Sequence, residues 1–396
     1  MAAPMCKQLM SNRLLTIFGV KTINRLYYIK TRHNDKSRNF FSTSGHNYKE
    51  SYQVIINEFG NPNNVLEGIS VQLPSKIGPN QMLVKVLMSP INPSDINMIE
   101  GTYHIRPALP CVGGNEGVGE IIEVGPSVEG FHPGDWVISS IAARSADSLA
   151  AGLWRQFLIP EPSNVIKIPN DMPVIGAATL AVNPCTAYRM ICDFAKLNPG
   201  DILIQNGANS AVGQCVIQLA KHWGIKTINI IRDRPQKDEL VNFLHDLGGD
   251  IVLTENERKQ GDLKEIIQTI PEKPKLALNC VGGDSSAHLV ASLGKDGVIV
   301  TYGGMSRRPV MIPTGPTIFN RIKAYGYWNT DWMKENLHSP MKANMFRELC
   351  EFIAKGILKP PEADLFHIKD FKTAVSESME GFKGKKKILV MDDRLL

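Results

Sequence analysis

The chain is expected to fold as an α/β protein with two modules, one rich in short strands and one a doubly wound parallel sheet. Two observations set that expectation. Between about residues 52 and 169, short apolar or alternating runs are separated by clusters of Gly, Pro, Asn and Ser, as in strands joined by tight turns. Beyond residue 169 the period changes, and strand-like and helix-like stretches alternate in the order that builds βαβ units.

In the first module, strands are expected over 53–56, 82–87, 117–124, 135–138 and 154–159. Helical stretches follow over 174–181 and 184–195. An apolar strand over 202–204 then runs into a glycine-bounded turn, Gly-Ala-Asn-Ser-Ala-Val-Gly at 207–213. The next helix runs from about 211 to 223, with Val212, Val216, Leu219 and Trp223 on one face and Gly224 as its stop. A second strand over 227–231 ends at Arg232, Asp233 and Arg234. Further alternation gives helix 237–247, strand 251–253, helix 263–269, strand 276–280, helix 285–293 and strand 297–301. From Trp332 onward, helices and a strand over 387–390 are expected to return to the first module.

Strand, glycine turn, helix, strand and basic pair form the first unit of a Rossmann dinucleotide-binding sheet, whose helix N-terminus offers N–H groups to a pyrophosphate. Asn209, Ser210, Ala211 and Val212 are placed around that pyrophosphate. An acid at the end of the second strand grips the ribose hydroxyls of NAD, whereas arginines suit the 2′-phosphate of NADP. Arg232 and Arg234 therefore point to NADPH, although Asp233 between them also reads as the NAD-type acid. The glycine pairs at 282–283 and 303–304 lie just past strand ends, the edge where such sheets bind ligands; the plainer reading is a tight turn.

The first 44 residues hold eight Lys or Arg against one acid, Asp35, with Ser, Thr and apolar residues interleaved. That composition reads as a mitochondrial transit peptide, the alternative being a disordered basic arm. The full chain carries a net +5, but without those residues 36 basic face 38 acidic residues, a net −2. Bulk charge thus argues against a nucleic-acid partner. No apolar run approaches the roughly 20 residues of a membrane span, so no membrane insertion is expected. The six cysteines after Cys6 form no C-x-x-C pair and read as small buried hydrophobes in a reducing compartment. A lysine run, Lys383-Gly-Lys-Lys-Lys387, reads as a solvated face or as a receiver of an anionic carrier or cofactor phosphate.

Several motifs together carry a resemblance. They are Ser-Pro-Ile-Asn-Pro-Ser-Asp-Ile-Asn at 89–97, Glu-Gly-Thr-Tyr at 100–103, Gly-Asn-Glu-Gly at 114–117 and Ala-Val-Asn-Pro-Cys-Thr-Ala-Tyr at 181–188. With them stand Ile-Arg-Asp-Arg-Pro at 231–235, Leu-Asn-Cys-Val-Gly-Gly at 278–283, Thr-Tyr-Gly-Gly-Met at 301–305 and Gly-Tyr-Trp at 326–328. The chain resembles the zinc-free, mitochondrial 2-enoyl thioester reductase branch of the medium-chain dehydrogenase/reductase superfamily, over residues 50–391. The resemblance implies a GroES-like catalytic domain over 45–170, a six-stranded NADP-binding Rossmann domain over 171–330, and a return to the catalytic domain over 331–396, after a leader over 1–44. It also implies a homodimer.

Zinc relatives use a cysteine, a histidine and often a four-cysteine lobe. The matching region here holds Asn92, Asn115 takes the histidine position, and no close cysteine quartet exists. No metal is therefore expected. A metal-free acceptor fits an α,β-unsaturated thioester, which takes hydride at the β-carbon and a proton at the α-carbon. Tyrosine, with a reference pKa of about 10, stays protonated yet can donate. The resemblance puts Tyr103 in that role; without it, Tyr103 reads as a packed aromatic.

The same likeness places Asn183, with neighbouring Thr186, against the cofactor, and Tyr302, Gly303, Gly304 and Met305 beside the nicotinamide. Tyr327, Trp328 and Asn329 would close the cleft, Trp328 reading equally well as core. Lys386 carries over from a C-terminal family position, in a run whose alignment can slip by one. The expected activity is NADPH-dependent reduction of enoyl thioesters on acyl carrier protein or CoA, the last reductive step of mitochondrial fatty acid synthesis, in the matrix. The rivals are a zinc-free quinone reductase and a non-enzymatic nucleotide-binding partner protein.

Overall fold

The computed structural model of the chain describes residues 50–139, 152–380 and 384–396. The leader expected over 1–44 and Lys383 lie outside the described residues.

The first module contributes β1 (Glu50–Ile56), β2 (Leu66–Gln72), β3 (Met82–Pro90), β4 (Cys111–Val112), β5 (Val118–Val124), β6 (Trp136–Ser139), β7 (Phe157–Leu158) and β8 (Val165–Ile168). β2, β1 and β4 form a small sheet, β1 lying antiparallel to β2 from Glu50 opposite Gln72 to Ile56 opposite Leu66. Of the run expected over 154–159, only Phe157 and Leu158 form a strand. Trp154 instead turns its fully buried ring onto Gly113 and Gly114. Gly114 has φ +91°, and a Cβ there would meet the indole at 2.3 Å, so the Gly-Asn-Glu-Gly turn depends on this glycine.

The second half supplies β9 (Ile202–Asn206), β10 (Lys226–Ile231), β11 (Ile251–Thr254), β12 (Leu276–Asn279), β13 (Val298–Thr301) and β14 (Lys323–Gly326). They form one six-stranded sheet in the order β11-β10-β9-β12-β13-β14, with every pairing parallel. This is the doubly wound order, whose strand direction of travel reverses beside β9. β9 is buried at every position, as a strand covered by helices on both faces must be, which explains its unbroken apolar start. Helix Ala211–His222 shares a buried cluster with Leu203 of β9 through Val216, Leu219 and Ala220, while its Ile217 packs with Ile231 of β10. Gly213 makes that approach possible, since a Cβ there would stand 2.5 Å from the Ala208 carbonyl oxygen. β14 goes beyond the strands read from the sequence. Its Lys-Ala-Tyr-Gly carries no apolar run because it is an edge strand, exposed throughout.

The chain closes with β15 (Ala363–His367) and β16 (Lys386–Val390). β16 pairs parallel with β15 and antiparallel with β3, in a seven-stranded sheet of order β15-β16-β3-β5-β6-β8 with β7 also on β3. One buried cluster joins Leu87, Met88, Val118 and Ile138 of this sheet to Leu219 and Val300 of the parallel sheet's layers and to Leu349 of helix Pro340–Ala354. The α/β class is thus the one expected, and the two sheets share a core. The helix expected over 174–181 ends at Ala178, where Thr179 turns the chain toward the cleft.

The last two lysines of the run are not on a solvated face. Lys387 is buried and pairs with Asp364 at 2.5 Å and Glu377 at 2.8 Å. Lys386 donates to Asn92, and Lys385 approaches Asp364 at 3.8 Å. The register of β16 explains this: pairing with β3 and β15 pulls two consecutive lysines between packed elements.

Candidate active site

The carboxyl ends of the parallel strands gather most of the expected site. Residues 207–212 follow β9, Arg232 to Arg234 follow β10, Tyr302 to Met305 follow β13, and Tyr327 to Asn329 follow β14. That edge is where a doubly wound sheet receives a ligand, because helix N-termini and turns converge there.

Ser210 caps helix Ala211–His222 by accepting from the Gly213 N–H at 3.1 Å. The first helical N–H groups, on Ala211 and Val212, have no intrahelical acceptor and carry the positive end of the helix dipole. Asn209 is held through its carbonyl by Gln214 Nε2 at 2.9 Å. Arg232 is exposed and Arg234 half-buried; burial and the Arg232 charge both pull the Arg234 pKa below its ordinary value. The two guanidinium groups concentrate positive charge at the end of β10. Asp233 faces elsewhere: its carboxylate accepts from the Asn256 N–H at 3.0 Å, at the start of helix Glu255–Gln260.

Tyr302 buries its hydroxyl beside Cys280 and Ser210, and burial drives its pKa far up. Burial likewise pushes the Cys280 thiol up to about 11 and Cys215 up to about 12, so neither is a thiolate nucleophile at neutral pH. Met305 N–H donates to Cys280 O at 2.8 Å, fixing the Gly303–Gly304 turn. Asn329 ties the end of β14 to the segment before helix Asn183–Asp193: its side chain donates to Ala181 O at 3.1 Å and accepts from the Tyr327 hydroxyl at 3.1 Å.

Tyr103 arrives from the strand-rich module. Helix Pro93–Ile99 ends at Glu100, Gly101 turns the chain at φ +71°, and the Tyr103 N–H returns to Asn97 O at 3.0 Å. The Trp328 Nε1–H then donates to the Tyr103 hydroxyl at 2.9 Å, and the two rings meet edge to face at 6.4 Å. Trp328 also packs edge-on against His104 at 5.5 Å. The structure therefore brings Tyr103 and Trp328 together across the cleft.

At the inner end, Asn183 opens helix Asn183–Asp193 and is buried, with its Nδ2 lacking a hydrogen-bond partner. An orphaned buried amide at a cleft is a place for a ligand acceptor. Thr186, one turn on, is committed to Val182 O through its hydroxyl at 2.6 Å. A narrow pocket opens between Asn183, Ala211, Gln214 and Cys215 on one side and Ile353 and Pro360 on the other.

Glu116 was missed as a functional candidate. It is buried, accepting from Asn92 Nδ2 at 3.0 Å and from the Val182 N–H at 2.8 Å. Burial pushes its pKa up to about 7, against the opposing pull of Lys386, Asn92 and the Val182 N–H. Burial pulls Lys386 below its ordinary value. The sequence signal was the Gly-Asn-Glu-Gly motif itself, but nothing local shows that its carboxylate reaches a helix 66 residues later.

Among the described residues, no group of three or more His, Cys, Asp or Glu side chains is placed to hold a metal ion. The two places that the family resemblance compares with metal ligands are the region of Asn92 and Asn115. Asn92 is engaged by Glu116 and Lys386, and Asn115 donates to Met98 Sδ at 3.4 Å. No helix among the described residues is long and apolar enough to cross a membrane.

Comparison with known proteins agrees with this geometry. The alcohol dehydrogenase GroES-like domain family matches residues 78–170, and the zinc-binding dehydrogenase family matches residues 211–354. The mitochondrial enoyl-acyl-carrier-protein reductase of Xenopus tropicalis is 42% identical over 342 residues, covering 85% of this chain and 95% of that protein. The mitochondrial 2-enoyl thioester reductase Etr1p/Etr2p heterodimer from Candida tropicalis superposes with a TM-score of 0.78 at 34% identity, covering 86% of this chain and 99% of that one. A solved complex of Etr1p with NADP and crotonyl-CoA gives 0.77 at 34% identity, with the same coverage. The chain belongs to the family of mitochondrial enoyl-acyl-carrier-protein reductases.

Proposed function

We propose that this protein is the NADPH-dependent reductase that saturates trans-2-enoyl thioesters on acyl carrier protein or CoA, the last reductive step of mitochondrial fatty acid synthesis, in the matrix. The observation that carries the reading is the Trp328–Tyr103 hydrogen bond, which sets a phenol from one module against the ligand edge of the parallel sheet.

The residues fit NADPH. The turn before helix Ala211–His222, with Asn209, Ser210, Ala211 and Val212, takes the pyrophosphate, and Arg232 and Arg234 take the adenosine phosphate across the turn set by Asp233. Asn183, Lys386 and the segment Tyr302, Gly303, Gly304 and Met305 line the nicotinamide end, while Tyr327, Trp328 and Asn329 close the cleft. When bound, NADPH supplies the hydride for the β-carbon of the enoyl thioester. Tyr103 delivers the proton for the α-carbon, and the N–H of Trp328 stabilises the charge that builds on the phenol oxygen as that proton leaves. No thiol nucleophile enters this scheme, because burial keeps Cys215 and Cys280 protonated.

The reading divides the chain into a transit peptide over 1–44, a catalytic domain over 45–170 completed by 331–396, and a nucleotide domain over 171–330. It includes a homodimer. β14 leaves one edge of the six-stranded sheet open, and Phe319 and Tyr325 beside or on it are 81% and 46% exposed. An open strand edge flanked by exposed apolar side chains is a surface for a second copy.

The deciding experiment is a steady-state assay of the purified protein with NADPH and hexenoyl-CoA, run beside a quinone. Formation of saturated acyl-CoA with little quinone reduction is expected. Quinone reduction without acyl product would favour the quinone reductase, and nucleotide binding without turnover would favour a non-enzymatic role.

A further inference from the structure

One carboxylate collects hydrogen bonds from both modules at the inner end of the cleft. Lys386, on β16, donates to Asn92 Oδ1; Asn92 Nδ2 donates to Glu116 Oε1 at 3.0 Å; and the Val182 N–H donates to Glu116 Oε2 at 2.8 Å. Val182 is the N-cap of helix Asn183–Asp193, and its own side chain supplies no cap. Glu116 therefore does from a distant turn what the N3 glutamate of a capping box does locally, accepting from the N–H of the N-cap residue, and its negative charge sits at the positive end of the helix dipole. The Glu116 backbone is pinned too, its carbonyl accepting from Ser89 Oγ at 2.6 Å.

We propose that Glu116 is the positioning residue of the cofactor cleft, its acceptor-only carboxylate holding Asn183 and Lys386 where they meet the nicotinamide half of the nucleotide. This rests on the NADPH-binding reading above. The direction of every bond supports it. Lys386 has only hydrogens to give, which forces Asn92 to turn its oxygen to Lys386 and its NH2 to Glu116. The backbone of Val182 also gives a hydrogen. Both donors must end on a group with no proton of its own.

An isosteric amide cannot satisfy that chain. Glutamine at 116 would aim an NH2 at the Val182 N–H or at the Asn92 NH2. Turning Asn92 around to accept it would set the Asn92 NH2 against the Lys386 ammonium. Protonating Glu116 removes the negative charge from these contacts and adds a hydroxyl hydrogen that faces donors on both sides, so the arrangement loosens as Glu116 takes up a proton. The groups facing it are Lys386 from β16, Asn92 and Asp95 from helix Pro93–Ile99 and its cap, and the thiols Cys185 and Cys215 from the two helices above. The Asp95 carboxylate accepts from the Asn92 N–H at 2.7 Å and adds negative charge nearby. Burial of Glu116 places its titration at about 7.

The test measures nucleotide affinity by fluorescence, without turnover, for the wild type, Glu116→Gln and Asn92→Ala between pH 6 and pH 8. NADH is used beside NADPH because it lacks the titrating 2′-phosphate. At pH 8, Glu116→Gln is expected to weaken both nucleotides about tenfold, the loss of a charge-assisted contact. Wild-type affinity for NADH should fall several-fold from pH 8 to pH 6, while Glu116→Gln stays flat. Asn92→Ala, which removes the amide between Glu116 and Lys386 but leaves the Val182 contact in place, should weaken both nucleotides less than Glu116→Gln. A wild-type NADH affinity that does not change over this range overturns the proposal, whether or not the variants fold. So does a folded Glu116→Gln that binds like the wild type. A wild type that binds neither nucleotide at any pH refutes the NADPH reading itself.

Discussion

The Trp328 indole nitrogen lies 2.9 Å from the Tyr103 hydroxyl oxygen and donates to it across 225 residues of chain. One residue follows the last strand of the parallel sheet, and the other follows a short helix of the strand-rich module. Their contact spans the cleft and, in the proposed mechanism, sets where the proton is delivered.

Replacing Tyr103 by Phe keeps the ring that packs on Trp328 and removes only the hydroxyl. The expected loss in kcat is about 100-fold or more, the usual contribution of a positioned general acid, with NADPH affinity nearly unchanged. Stopped-flow turnover and a fluorescence titration measure the two quantities separately. An unaltered kcat would remove Tyr103 from the mechanism.

Trp328→Phe retains an aromatic ring against His104 and Tyr103 but cannot donate. Its kcat should fall by about 3- to 10-fold, corresponding to one net hydrogen bond of about 0.5–1.5 kcal/mol. The effect should largely vanish when Tyr103 is already Phe, because the acceptor is gone. A double-mutant cycle checks this, and strictly additive losses would show that the indole acts elsewhere.

Arg232→Ala is expected to weaken NADPH by about 1–3 kcal/mol while leaving NADH much less affected, since the missing partner is the 2′-phosphate. Asp233→Asn should behave differently. Its carboxylate holds the Asn256 N–H, so the variant should lower stability by about 1 kcal/mol and leave the NADPH-to-NADH ratio unchanged. Equal losses of both nucleotides in Arg232→Ala would refute the phosphate assignment.

Asp392 ties the C-terminus to the strand-rich module through Lys85 at 3.0 Å and through Arg394. Burial raises its pKa, but the hydrogen bonds from Arg394 and Lys85 prevail and hold it down to about 2. The folded pKa lies below the unfolded reference of about 3.9, so this stabilisation is complete above about pH 4 and is lost as pH falls toward 2. Thermal melts of Asp392→Asn should show a lower Tm than the wild type at pH 7, with the gap closing at low pH. A gap that widens on acidification would contradict the assignment.

Phe319→Glu places a charge at a side chain already 81% exposed, so the monomer fold should be unaffected. Sedimentation should shift from dimer to monomer. A dimer that survives the substitution would place the interface away from β14.

Sequence alone determined the elements whose signals are local. The glycine turn before helix Ala211–His222, the unbroken apolar β9 and the arginines ending β10 could be read because a buried parallel strand and a helix N-terminus each impose their own residue types. The order of β and α segments fixed the α/β class for the same reason. Tertiary structure decided what depends on residues far apart. Lys386 and Lys387 read as a polar run, yet the pairing of β16 with β3 carries them inside to Asn92, Asp364 and Glu377. β14 has no apolar pattern because an edge strand need not bury its side chains. Glu116 looked like one more residue in a turn, and only folding sets its carboxylate under a helix that has no cap of its own. Hydrophobic periodicity records which side of an element is covered; it does not record which distant donor a buried carboxylate will meet.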